Sequence, residues 1–239
     1  MKSLLSSLSF ILASFFLLSC SGRLVEVKVG QKVINQDYLG NGAEWDPYCE
    51  AEAWGAPLTE EMWGKIFKRV DFMKMSIVRC MINSPYRYYD YKTGEYIEEK
   101  GAESLKRVLA YCQANNIKVM FGEFNPPKPS LKLSTDWVKM SVRYLDYLVN
   151  RCGFSCIKYY IPVNEPDGDW SYYDGDFDEY LKLVYMIRDE TSKYPGLTDK
   201  VKFAAPDAVL DYKNPRFNLT TADRVALAAE RIDSLTGLY

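Results

Sequence analysis

The chain of 239 residues contains no histidine. That absence excludes Ser-His-Asp and Cys-His catalysis, histidine-ligated zinc and histidine pH switching. An enzyme made from this sequence has to place its acid–base chemistry on carboxylates. Neither charge is in surplus: 30 Lys and Arg stand against 32 Asp and Glu, a net charge of -2. No basic excess therefore points to nucleic acid, and no acidic tail points to a solvating or metal-buffering role. A glycine-rich phosphate loop is also missing, since Gly40-Asn41-Gly42 lacks the rest of a dinucleotide fingerprint. The acid-rich stretch Asp167–Asp178 lacks the ligand spacing of a calcium loop and reads as a solvated loop and helix start. No cofactor or metal is expected. After Leu18, nothing in the chain is apolar enough to span a bilayer. What is present is a globular composition, 48% hydrophobic and 15% aromatic, of a length that suits one domain or a small pair.

The N-terminus reads as an address. Met1-Lys2 is a short positive start, and Leu4 to Leu18 form an apolar run broken only by serines. That run is too short for a transmembrane helix, which needs about 20 residues, and it suits a secretory core region. It ends Leu17-Leu18-Ser19-Cys20, which resembles the bacterial lipobox. The resemblance implies removal of residues 1–19, acylation of Cys20 and a lipid-anchored protein of the bacterial cell envelope. An ordinary signal peptide that happens to end in cysteine is the plainer alternative. Without Lys2 the mature chain carries 29 bases against 32 acids, net -3. Cys49, Cys80, Cys112, Cys152 and Cys156 remain; their spacing matches no common zinc pattern, and mostly buried thiols are expected.

Residues 20–34 form a separate N-terminal segment, with Val25–Val29 and Lys32–Ile34 flanking Gly30-Gln31 as a small hairpin. From residue 35 to 239 strand and helix patterns alternate. Strand-like runs lie at Tyr38–Trp45, Ile77–Ile82, Lys118–Phe124, Ile157–Val163 and Val201–Ala205. Apolar stripes at helical spacing lie between and after them. They comprise Met62, Ile66, Val70 and Met73; Leu105, Val108, Leu109 and Cys112; Trp137, Met140, Tyr144, Leu145 and Leu148; Phe177, Tyr180, Leu181 and Val184; and Val225, Ala228, Ile232 and Leu235. Thr59, Thr135 and Asp176 are the expected N-caps. Five βα units fit an open doubly wound sheet or part of an eight-stranded barrel. Strand starts near 38, 77, 118, 157 and 201 give spacings of 39, 41, 39 and 44. Eight such units need about 320 residues, so the chain holds roughly five eighths of such a barrel.

The informative segment is Tyr159-Tyr160-Ile161-Pro162-Val163-Asn164-Glu165-Pro166-Asp167-Gly168. A carboxylate follows the fourth strand, with an amide before it and a proline after it. In a barrel this is the C-terminal mouth, where active sites form. Asn164-Glu165-Pro166 resembles the signature of clan A glycoside hydrolases, which are (β/α)8 barrels, and Ile77-Val78-Arg79 fits the clan's arginine near the end of strand two. The resemblance implies an α/β, TIM-barrel-type fold of which about the first five βα units are present. It implies Glu165 as acid/base, Asn164 on the sugar 2-hydroxyl and a carbohydrate substrate cleaved with retention. In that mechanism a second carboxylate attacks the anomeric carbon from about 5 Å away. The clan's nucleophile follows strand seven, which these five units do not include. The chain by itself is therefore expected to lack turnover, and a partner chain or a C-terminal continuation is expected to complete the barrel.

Other strand-end residues join the expected site. Trp45 after strand one offers a ring for a pyranose face, with Glu44 bonding hydroxyls; its structural alternative is a half-buried strand-end aromatic. Arg79, a charge on an apolar strand, needs a partner. Glu123 ends strand three and is expected to bind sugar or to pair with Arg79. Trp170, in the loop after Glu165, suits a sugar platform. A second class of function is a non-catalytic carbohydrate-binding lipoprotein on a degenerate barrel. An unrelated open α/β protein is a third.

Overall fold

Three helices start where the sequence supplies a capping oxygen. Thr59 accepts from the Met62 N–H (3.3 Å), and Glu60 and Glu61 follow in the first turn of α1 (Glu60–Met73). Asp176 accepts from the Glu179 N–H (3.0 Å) at the start of α4 (Phe177–Thr191). The cap of α3 (Thr135–Asp146) is Ser134 rather than Thr135, its hydroxyl accepting from the Trp137 N–H (3.4 Å). Two further helices, α2 (Ala102–Ala114) and the short α5 (Leu197–Lys200), complete the set. The structure, a computed structural model, describes residues 38–47 and 57–209, with 28, 30–33, 36, 213–216, 220, 223 and 226. The expected signal segment, Cys20, most of the hairpin flanks, Cys49 and the fifth helical stripe lie outside the described residues; the described flank residues Lys28, Lys32 and Val33 are not in a strand. Leu39–Tyr239 forms one compact unit, and all of these helices belong to it.

Five strands, β1 (Gly42–Glu44), β2 (Ile77–Ile82), β3 (Lys118–Glu123), β4 (Ile157–Ile161) and β5 (Lys202–Phe203), form one sheet in chain order. Every neighbouring pair is parallel. Sequential parallel order with a helix after most strands is the βα-barrel arrangement, so the doubly wound alternative is excluded; that fold requires a strand-order reversal. β2 and β3 run as the sequence implies. β1 and β5 are shorter than expected, and β4 stops at Ile161. Pro162 therefore sits just past the last strand residue, where a missing N–H costs no ladder bond.

Side-chain parity separates the two faces of the sheet. Val78, Cys80 and Ile82 on β2, Val119 and Phe121 on β3 and Tyr160 on β4 are buried in the same core as the helices. Leu105, Val108, Leu109 and Cys112 meet them from α2, and Tyr144, Leu145 and Leu148 from the α3 side, all fully buried. Leu109→Ala would cost about 2–5 kcal/mol by transfer and cavity terms together. The opposite face carries Ile77, Arg79, Met120 and Tyr159, all half-buried. On that face β3 and β4 approach so closely that a Cβ on Gly122 would lie 2.7 Å from the Ile161 carbonyl oxygen.

α1 departs from expectation. Met62 and Met73 are exposed, and the helix packs through Trp63, Ile66, Phe67 and Val70, so only Ile66 and Val70 of the expected stripe face the core. Two apolar stripes overlap at Val70, and the aromatic one covers more surface. Phe67 stacks on Tyr111 of α2 (4.3 Å between centroids), and Arg107 reaches across to hold Glu60 through two 2.6 Å bonds. Cys80, Cys112 and Cys156 are buried and Cys152 half-buried, all as free thiols. Among the described residues no helix is long and apolar enough to cross a membrane.

Candidate functional site

The polar side chains gather at the C-terminal ends of the strands. Arg79 has the opposite parity to Val78 and Cys80, so it leaves the helix-facing core and turns to the other face. Its Nη1 donates to Glu44 Oε2 (2.7 Å) at the end of β1. Its Nη2 donates to Asn164 Oδ1 after β4 and to Asp207 Oδ2 after β5. One guanidinium on β2 thus ties together the ends of β1, β4 and β5. Burial works against its charge, but the ion pairs with Asp207 and Glu44 outweigh that and raise its pKa above the ordinary arginine value.

Asn164 links this frame to Glu165. Its N–H donates to the Glu123 carbonyl (2.8 Å), which fixes the backbone. Arg79 claims Oδ1, so the amide nitrogen is the end that faces Glu165, with Nδ2 at 3.4 Å from Oε2. Glu165 has φ 41°, a left-handed conformation that a side-chain-bearing residue adopts at a cost of about 1–3 kcal/mol. The turn is closed by the Gly168 N–H donating to the Glu165 carbonyl (3.1 Å). Trp170 folds back over this turn and donates Nε1–H to Glu165 Oε2 (3.0 Å). Its ring leaves no room for a larger residue at 168, where a Cβ would lie 2.3 Å from the indole. The indole remains 46% exposed.

Three acids that sequence reasoning missed complete the geometry. Asp207 follows a two-residue strand and meets Arg79 across 128 positions, a pairing no local pattern announces. Buried Asp167 accepts from the Val209 N–H with both carboxylate oxygens (3.1 Å each), tying the segment after β5 to the loop after β4. Asp46 accepts from the Met81 N–H (2.9 Å). Lost hydration, and then the neighbouring Glu44, push the Asp46 carboxyl up to about 6.

Two expected site residues lie elsewhere. Glu123 does not meet Arg79 and does not open to the mouth. It shares the parity of Val119 and Phe121, so it enters the helix-facing layer, where it is 1% exposed. There Oε1 accepts from Tyr88 (2.7 Å) and Ser141 (3.1 Å), and Ser141 meets the Tyr160 hydroxyl at 2.6 Å. Burial pushes the Glu123 carboxyl up to about 8 against these two hydrogen bonds. Trp45 packs edge-on against Tyr111 (5.8 Å) and Phe67 (6.2 Å), an aromatic wedge beside α1 and α2 rather than a sugar platform. Glu44, Arg79, Asn164, Glu165 and Trp170 are therefore the expected residues that come together.

Among the described residues no group of three or more cysteines, aspartates or glutamates is placed to hold a metal ion. A groove of about 470 Å³ lies against α3, between Tyr96, Met140 and Tyr194, and shares no residue with the strand-end cluster.

No protein-family model and no curated protein sequence matches the chain. Solved structures do. A GH39 β-xylosidase from Caulobacter crescentus superposes with a TM-score of 0.53 at 13% identity, over 81% of this chain and 44% of the other. A glycoside hydrolase 5 lichenase from Caldicellulosiruptor sp. F32, in complex with cellotetraose, gives 0.54 at 12% identity over 78% and 59%. A GH39 enzyme from Xanthomonas axonopodis pv. citri gives 0.54 at 11% identity over 82% and 39%. The chain thus spans about 39–59% of the length of these structures. At such identities the likeness is one of fold: part of the (β/α)8 barrel that these glycoside hydrolases share.

Proposed function

We propose that the strand ends form a carbohydrate site of the glycoside hydrolase type, in which Glu165 is the acid/base of retaining O-glycosyl hydrolysis. The observation that carries the reading is the string Arg79–Asn164–Glu165–Trp170, which puts a carboxyl group between an oriented amide and an exposed indole. Glu165 protonates the leaving glycosidic oxygen and later takes a proton from the incoming water. Asn164, its oxygen held by Arg79, offers the amide N–H to a sugar hydroxyl. Trp170 offers an indole face to the sugar ring and steadies Oε2 of Glu165. The attacking carboxylate belongs to a later strand than the five described, as the clan resemblance implies. Leu17-Leu18-Ser19-Cys20 supports a lipid anchor at Cys20 that holds the domain at the envelope surface.

The test uses the protein isolated from its source cells, assayed on aryl β-glycosides. Glu165→Gln is expected to lower turnover about 10²–10⁴-fold, the usual worth of general acid–base catalysis, without moving the melting temperature. Wild-type-like turnover in the variant would overturn the assignment. Oligosaccharide binding with no turnover in either protein would favour the non-catalytic, carbohydrate-binding reading. Incorporation of labelled fatty acid, lost in Cys20→Ser, tests the anchor.

A further inference from the structure

The hydrogen bonds of Arg79 specify the sugar as well as the frame. An unoccupied arginine at the mouth of such a site would capture a sugar carboxylate through two parallel N–H bonds. Arg79 has no such fork to offer. Both Nη2 protons are taken, by Asn164 and Asp207, and Nη1 donates to Glu44. Nε has no partner, but it is buried out of a ligand's reach. The frame also carries two carboxylates against one guanidinium. Both acids face outward enough to be felt, with Asp207 and Glu44 side chains 24% and 48% exposed.

We infer that Asp207 and Glu44 are specificity-determining residues which, by engaging both outer nitrogens of Arg79, restrict the site to neutral or amino sugars and exclude uronic acids. The inference rests on the carbohydrate reading of the strand ends. A uronate carboxylate approaching them meets net negative charge and, among the described residues, no guanidinium edge with two free N–H groups, so it loses hydration without recovering a bidentate ion pair. A neutral sugar gives up only hydroxyl hydration, which Asn164 and the frame carboxylates replace. Removing Asp207 frees one Nη2 proton and one unit of positive charge at the place where a uronate would bind.

The experiment titrates matched neutral and uronate tetrasaccharides into the native protein, following tryptophan fluorescence. The pairs are cellotetraose with its 6-oxidised counterpart, and galactotetraose with tetragalacturonate. Wild type is expected to bind the neutral member of one pair and its uronate about ten-fold more weakly or not at all, with the gap shrinking as salt rises. Asp207→Ala is expected to tighten uronate binding about ten-fold, the worth of one charge-assisted hydrogen bond. Asp207→Asn removes the charge but keeps the shape, and it gives a smaller change in the same direction if the alanine variant fails to fold. A uronate bound by wild type as tightly as its neutral partner would overturn the inference and leave the carbohydrate site standing. So would an unchanged gap in both folded variants. Failure of every neutral sugar to bind would overturn the carbohydrate reading, and this inference with it.

Discussion

Glu123 and Glu165 stand at the ends of adjacent strands and live in different solvents. Glu123 enters the helix-facing layer, takes hydrogen bonds from Tyr88 and Ser141 and keeps its proton to about pH 8 because burial penalises its charge. Glu165, one strand on, sits in a left-handed turn at the mouth, half-buried, with an indole N–H on one oxygen. One of the two is enclosed in the core and the other is open to the mouth, where we propose its chemistry, and residue type has nothing to do with it. Which face of the sheet a side chain takes decides the matter, because that face sets its access to water and its partners. The same division separates Val78 from Arg79 within β2. The helix-facing layer should respond to mutation in stability, and the mouth in ligand binding and turnover.

The largest expected effect breaks the dry side. Glu123→Ala strands the Tyr88 and Ser141 hydroxyls in the core and is expected to cost about 2–4 kcal/mol in denaturant unfolding. Glu123→Gln keeps the shape and tests the proton. The carboxyl ionises near 4.5 in an open chain and near 8 in the fold. Between those values the unfolded chain has released a proton that the folded chain still holds. Stability from this group is therefore full below about pH 4.5 and falls as pH rises toward 8, by at most about 1.4 kcal/mol per pH unit. The glutamine variant should remove that slope. An unchanged pH dependence would mean that Glu123 is ionised in the fold, and the contrast with Glu165 would lose its basis.

Gly168→Ala perturbs the mouth instead. The added methyl would displace the Trp170 indole, which lies 2.3 Å from its position, and so detach Nε1 from Glu165. Turnover or sugar affinity is expected to drop about ten-fold, the worth of a hydrogen bond to a charged group. Tryptophan emission should shift, and the melting temperature should change less than in Glu123→Ala. A variant that loses stability but keeps its affinity would reverse the division between the two regions.

Much of this arrangement is written in local pattern. Ile77–Ile82 is a strand by its β-branched and apolar run, and the structure keeps the same bounds. The interruption at Arg79 is visible in that run, as is the position of Glu165 after the fourth strand. The face taken by Glu123 was also within reach. It alternates with Val119 and Phe121, so if those two meet helices then Glu123 must go with them. Asp207 is different in kind. Its strand is two residues long, and its meaning comes only from Arg79, brought near by the closing of five parallel strands. For α1, periodicity alone admits both Met62–Ile66–Val70–Met73 and Trp63–Phe67–Val70. The choice falls to the rings of Trp45 and Tyr111, which lie on other elements. What stays illegible is whatever depends on pairing across the chain.

The smallest expected effect sharpens the contrast from the dry side, because it separates two tyrosines of the same layer. Tyr88 and Tyr144 are both fully buried, with ring centroids 4.8 Å apart. Tyr88 gives its hydroxyl proton to Glu123, whereas the Tyr144 hydroxyl is buried without a hydrogen-bond partner. Removing a partnered donor leaves an acceptor short, so Tyr88→Phe is expected to destabilise by about 1–2 kcal/mol. Removing an orphaned hydroxyl leaves nothing short and spares its desolvation, so Tyr144→Phe is expected to be neutral or to stabilise by about 0.5–1 kcal/mol. Urea unfolding of the two variants and their double mutant measures the difference. A loss in Tyr144→Phe equal to that in Tyr88→Phe would mean that the second hydroxyl is also satisfied in solution, by a water or by Glu123. The cost of polarity on this face would then depend on hydration rather than on the contacts between these side chains.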